Sequence, residues 1–172
     1  IDDADVSEAR FAAAVTRAAR AAEKVDRTLE EGDRVTQFEA LTAAAYSEIA
    51  EQGADVAVVE AGLGGRWDAT NVIPSKVQVL TNVGLEHTRW LGPTIADIAA
   101  EKLDIVRPGG TLVVGADLHP DAMTLAEQMC ADRAAELVVA PAHSGLELLA
   151  QGDHQQRNFA VARAAAEAYY GP

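Results

Sequence analysis

The chain has 172 residues, 49% of them apolar, and its 27 Asp and Glu against 14 Lys and Arg give a formal charge of −13. That length supports a substantial core in one domain, and the acidity opposes nucleic acid phosphates and anionic membrane surfaces at long range. No apolar run approaches the roughly 20 residues that cross a bilayer, no secretory leader is visible, and the single cysteine, Cys130, cannot make an internal disulfide. A cytoplasmic protein with no nucleic acid or membrane partner is expected.

The first periodic segment runs from Glu8 to about Glu31. Ser7 is placed to cap it, and Phe11, Val15, Ala18, Ala22 and Val25 recur at helical spacing. Gly32-Asp33 ends it. A second helix starts after Thr36, whose hydroxyl can cap the first turn while Glu39 reaches back, the capping-box arrangement, and Gly53 is its natural stop. Beyond it, β-branched runs at Asp55 to Glu60, Val77 to Val83, Thr111 to Gly115 and Glu136 to Ala140 read as strands. Helical patterns fill the gaps at Thr94 to about Val106, His119 to Arg133 and Arg157 to Tyr170. Apolar strands separated by helices predict an α/β fold: a mainly parallel sheet with helices on both faces. With no repeat and no obvious linker, residues 1–172 are expected to form a single α/β domain.

Chemistry-bearing residues gather where strands end. Glu60 closes an apolar run and precedes Gly62, Gly64 and Gly65, at the carboxyl end of a strand where open α/β sheets bind ligands. It can hold a hard cation through oxygen or cap the glycine loop's amides. The glycines lack the dinucleotide fingerprint. Asp68, Thr70 and Asn71 can meet polar ligand edges or stabilise their own turn. His87 follows another strand, in Thr81-Asn82-Val83-Gly84-Leu85-Glu86-His87, and can serve as a ligand or a structural hydrogen-bonding group. Lys102 lies in a helical stretch; its bland role is an ion pair, and its sharper one is a carbamate, made with carbon dioxide, that supplies an anionic oxygen. His154, Gln155 and Asn158 open the last helical segment, where amide side chains suit a nucleobase and Asp153 suits a cap. None of Lys24, Lys76 and Lys102 follows a glycine, so the G-x-x-x-x-G-K-[ST] phosphate loop is not among these residues.

In this order, Thr36 to Thr42, Glu60 to Asn71, Gly84 to Thr88, Leu91 to Thr94, Ile98 to Lys102 and His154 to Asn158 resemble the folylpolyglutamate synthase/dihydrofolate synthase family, which is Mur-ligase-like. The resemblance runs from about Val35 to the end and implies a partial Mur-ligase-like central domain. It lacks both the phosphate-binding loop and the C-terminal glutamate-binding domain of the family. The implied reaction adds L-glutamate to dihydropteroate or a reduced folate with ATP and Mg²⁺, through an acyl phosphate.

By the same resemblance, Glu60, His87 and a carbamylated Lys102 are the metal ligands and catalytic residues. Phe38, Asp68 and Asn71 lie near the pterin, and His154, Gln155 and Asn158 meet ATP. Glu86 departs from the family's usual Asp before the metal-binding His, keeping the charge on a longer arm. Because the phosphate loop is absent from the sequence, the isolated segment is expected to be weak or inactive. The alternatives are a degenerate, non-catalytic domain that binds folate or a partner, and another Mur-like amide ligase.

Overall fold

The computed structural model describes residues 1–171, and the chain divides into two compact units, Ile1–Glu60 and the remainder from Ala61. In the first unit, α1 (Glu8–Asp26) and α2 (Gln37–Gln52) are packed through small residues, Ala14, Ala18 and Ala44, which form its buried cluster. The hydroxyl of Ser7 accepts from the Arg10 amide, capping α1 as expected. The helix stops at Asp26, short of Glu31, although Leu29 continues the helical apolar spacing. The Asp26 carboxylate accepts from the Val35 amide at 2.8 Å, holding the connection back against the helix end.

The capping box of α2 forms in full. Thr36 Oγ1 accepts from the Glu39 amide at 3.2 Å, and Glu39 Oε2 accepts from the Thr36 amide at 2.7 Å. Gly53, with φ 66°, adopts the left-handed backbone that closes the helix. Between the helices, buried Glu48 meets the Arg10 and Arg17 guanidinium groups, and Gln52 donates to it at 3.0 Å. A covered carboxylate needs such partners.

Residues 55–60 do not form the expected strand. The segment carries no ladder, and Val58 is 100% exposed. Strand propensity describes a side chain's fit to a pleated, half-buried surface, and no segment among the described residues pairs with this one.

The second unit is built on three parallel strands in the order β1-β2-β3: β1 (Val77–Leu80), β2 (Thr111–Gly115) and β3 (Glu136–Ala140). Parallel neighbours need crossovers. The first passes through α3 (Thr88–Leu91) and α4 (Ile95–Leu103), the second through α5 (Pro120–Asp132). The pleat then sorts side chains by parity. Leu80, Leu112 and Val114 pack with Ile98 and Leu103 of α4 and with Ala122 and Ala126 of α5, whereas Val113 and Ala140 pack with Val161 of α6 (Asp153–Tyr170). The sheet is thus covered by helices on both faces, as the sequence predicts.

Three boundaries of this unit differ from expectation, and one is the end of α4, at Leu103 instead of about Val106. β1 ends at Leu80, after which residues 81–87 leave the ladder toward the site. Helix α6 begins at Asp153, ahead of Arg157, with Gly152 as its cap residue at φ 103° and Asp153 already inside the first turn.

Candidate functional site

In a parallel sheet all carboxyl ends lie at one edge, and here that edge collects the chemistry. The segment after β1 carries Glu86 and His87. The loop after β2 carries Asp117, whose Oδ2 meets Arg157 Nε at 2.9 Å, fixing the start of α6 at the same edge. Gly115 at the end of β2 lies so close that an added Cβ would come 3.4 Å from the Thr81 carbonyl and 3.1 Å from Asp117 Oδ1. The second unit therefore brings the segment bearing His87 and the segment bearing His154, Gln155 and Asn158 to one sheet edge. His154 and Asn158 are one turn apart and share a helix face; both are exposed, and Gln155 is half-buried.

His87 has a left-handed backbone, φ 50° and ψ 31°, which is sparsely populated by residues other than glycine. Its carbonyl accepts from the Trp90 and Leu91 amides at 2.8 and 3.0 Å to start α3, while its exposed imidazole makes no capping bond. Lys102 reaches the same segment from the last turn of α4, with Nζ 3.1 Å from Glu86 Oε1. The sequence did not reveal this pairing, because nothing in a linear pattern joins positions 86 and 102.

The glycine loop after Glu60 has a packing role. Gly65 rests on α4 so closely that a Cβ would come 2.8 Å from the Lys102 carbonyl and 2.9 Å from that of Glu101. The Arg66 amide donates to the Glu101 carbonyl at 3.0 Å, and the Arg66 side chain pairs with Glu101 at 3.1 Å and with Asp104 at 3.3 Å. The backbone at Lys102 and the glycine loop are thus one packed element.

Asp68 organises the next turn. Burial pushes its carboxyl up, but hydrogen bonds from the Thr70 hydroxyl and from the Leu63, Thr70 and Gly62 amides outweigh burial and hold its pKa below the usual value. The contacts are 2.6 Å to Thr70 Oγ1, 2.9 Å to the Thr70 amide and 2.8 Å to the Leu63 amide. Asn71 is also engaged: its Nδ2 donates to the Arg66 carbonyl at 3.1 Å, and its Oδ1 accepts from the Arg107 guanidinium at 2.7 Å. Arg107, not singled out by the sequence reading, also binds the Asn71 and Ile73 carbonyls.

In the first unit, Phe38 stands in the first turn of α2 with 44% of its surface exposed, and Glu60 is an exposed carboxylate at the end of the unit. Among the described residues no three His, Cys, Asp or Glu side chains form a metal cluster. Taken singly, the Glu60 carboxylate is an oxygen donor of the kind a hard divalent cation takes, the uncapped His87 imidazole is an acceptable but less preferred ligand, and Lys102 becomes an oxygen donor only as a carbamate. Cys130 is buried, which pushes its thiol up and makes it a packing residue instead of a nucleophile.

No family model matches the chain. The chain is 36% identical over 170 residues to the dihydrofolate synthase/folylpolyglutamate synthase of Mycobacterium tuberculosis, an alignment covering 81% of this chain and 35% of that protein. It is 38% identical over 159 residues to the folylpolyglutamate synthase of Lacticaseibacillus casei, covering 78% and 37%. The fold superposes on a folylpolyglutamate synthase complex with AMPPCP and folate at a TM-score of 0.87 and 34% identity, over 98% of this chain and 46% of that one. The chain therefore spans about a third of the length of the curated relatives it matches. Sequence and backbone agree along most of the chain, and it belongs to the folylpolyglutamate synthase/dihydrofolate synthase family.

Proposed function

We propose that this chain works as part of a folate ligase that adds L-glutamate to dihydropteroate, to reduced folates, or to both, using ATP and Mg²⁺ through an acyl phosphate. The observation that supports this reading most is the shared fold with a structure containing both an ATP analogue and folate, together with the sequence identity to the two named synthases. The setting is cytoplasmic. No helix among the described residues is long and apolar enough to cross a membrane.

The chemistry required is the joining of two anions, a carboxylate and a phosphoryl group, before an amine attacks. On this reading Glu60, His87 and carbamylated Lys102 hold Mg²⁺, which when bound neutralises phosphate charge. Forming the carbamate separates Lys102 from its pairing with Glu86, since both groups are then anions. Phe38 offers an exposed ring to the pterin. Asp68 and Asn71 present the adjoining loop, with Asp68 holding its backbone in place. His154, Gln155 and Asn158 face the nucleotide from the start of α6.

The test is ATP-dependent glutamate addition by the protein in its natural length, with dihydropteroate and a reduced folate as acceptors. Turnover with either is expected, and His87→Ala is expected to lower kcat by about a hundredfold or more. No turnover with both acceptors overturns the assignment. Because the 172 residues contain no G-x-x-x-x-G-K-[ST] loop, residues 1–172 alone are expected to be weak or inactive, and robust turnover by them refutes that. A second reading is a non-catalytic domain that binds folate or a partner. Folate binding without turnover by the natural-length protein selects it. Preference for a nucleotide-linked sugar over dihydropteroate in competition binding selects another Mur-like amide ligase.

A further inference from the structure

A cavity lies at the opposite edge of the sheet, where the strands begin. It measures about 550 Å³ and lies between the turn leading into β1, the turn leading into β2 and the last turns of α6. Lys76, Arg107, Ser75, Thr111 and Tyr169 line it, and no Asp or Glu is among its lining residues. In a chain of formal charge −13, a cavity lined by Lys76 and Arg107 and by no carboxylate departs from the overall charge balance.

Among the described residues neither cation pairs with a carboxylate. Lys76 Nζ lies over the Tyr169 ring, 5.2 Å from its centroid, a contact that orients the ammonium without cancelling its charge. Arg107 donates through its Nη2 to three neutral oxygens, the Asn71 carbonyl at 2.6 Å, Asn71 Oδ1 at 2.7 Å and the Ile73 carbonyl at 3.0 Å. Its Nε is buried with no partner, and a buried unsatisfied donor on a cation is costly. The two stems are brought together by Gly110, where an added Cβ would lie 3.1 Å from both the Lys76 and the Arg107 carbonyls. Glycine at this position lets the two turns close on each other.

We propose that this cavity is a binding site for a small oxyanion, of the phosphate or carboxylate class, held by Lys76 and the Arg107 guanidinium. It stands apart from the carboxyl edge of the sheet, where the proposed ligase chemistry lies. Lys76, held over the Tyr169 ring, supplies a point charge, and Arg107, anchored through Nη2 to Asn71 and Ile73, supplies a fixed positive charge with Nη1 left to donate.

The experiment follows the Arg107 Nε–H resonance of the natural-length protein by ¹H–¹⁵N NMR, at constant ionic strength, during separate titrations with inorganic phosphate and with succinate. Arg107→Lys identifies the resonance by its loss. A saturable shift with phosphate, with succinate, or with both is the expected result, and it names the oxyanion class. Lys76→Gln, at an exposed position, is expected to weaken that binding about tenfold while leaving the resonance visible. No saturable shift with either anion overturns the site. Equal affinity in Lys76→Gln overturns the two-cation arrangement. Because the readout is at Arg107, its failure leaves the ligase assignment to its own turnover assay.

Discussion

Lys102 Nζ sits 3.1 Å from Glu86 Oε1, and the lysine, with 21% of its side chain exposed, is the more covered partner of the pair. Carbamate formation consumes a neutral amine and leaves an anion, so this carboxylate works against it. A partly exposed ion pair contributes up to about 1 kcal/mol. Glu86→Gln in the natural-length protein is therefore expected to raise carbamate occupancy at Lys102 by up to about fivefold. ¹³C NMR in labelled bicarbonate, with Lys102→Ala as the blank, reads the signal. Unchanged or lower occupancy in Glu86→Gln contradicts the opposition.

Gly65→Ala is expected to destabilise the second unit by about 1–3 kcal/mol, the usual cost of overpacking. The new methyl would meet the backbone carbonyls of Lys102 and Glu101, and a backbone carbonyl cannot rotate aside as a side chain does. Chemical denaturation measures the loss. A stability equal to wild type would show that the loop can lift off α4 freely.

The pH dependence of Asp68 has a definite sign. Its folded pKa lies below the ordinary value because donors from Thr70, Leu63 and Gly62 outweigh burial. Its contribution to stability is accordingly complete above the unfolded pKa and disappears as pH falls through the lower, folded one. Asp68→Asn is expected to flatten the part of the stability profile below about pH 4. Asp68→Ala, which strands the Leu63 and Thr70 amides, is expected to cost about 1–3 kcal/mol near neutrality. Urea melts across pH for the three proteins distinguish these outcomes.

Thr36→Ala removes half of the α2 capping box and is expected to cost about 1 kcal/mol. Hydrogen bonds from the Thr36 amide and hydroxyl lower the Glu39 pKa. In the variant the hydroxyl contact is gone, so the Glu39 titration followed by carboxyl ¹³C shifts is expected to move upward. A titration at the wild-type position would mean that the amide contact alone sets it.

What could be read from the sequence follows from the range of each interaction. Thr36, Glu39 and Gly53 declare α2 because capping acts within a few residues. Thr111–Gly115 and Glu136–Ala140 match their expected strands at both ends, since each is a continuous apolar run with an interrupting turn. Residues 55–60 have the same composition yet no ladder, because pairing depends on residues remote in sequence. The start of α6 was misplaced because Gly152 contributes backbone conformation rather than a capping side chain.

The site shows the same division. Candidate residues stood out by type and by resemblance, whereas the contacts that organise them, Glu86 with Lys102, Asn71 with Arg107 and Gly65 with the carbonyls of α4, join positions far apart in the chain.

The sheet of the second unit ends on β1 at one side and β3 at the other. Their outward amides and carbonyls form two rows of unused ladder positions within that unit, beside Val79 and Val139, which are 38% and 50% exposed. Such rows are templates for a strand from another molecule. Preparations of residues 61–171 by themselves should consequently self-associate in a concentration-dependent manner, growing by strand addition, and a charged residue at Val139 should slow that growth.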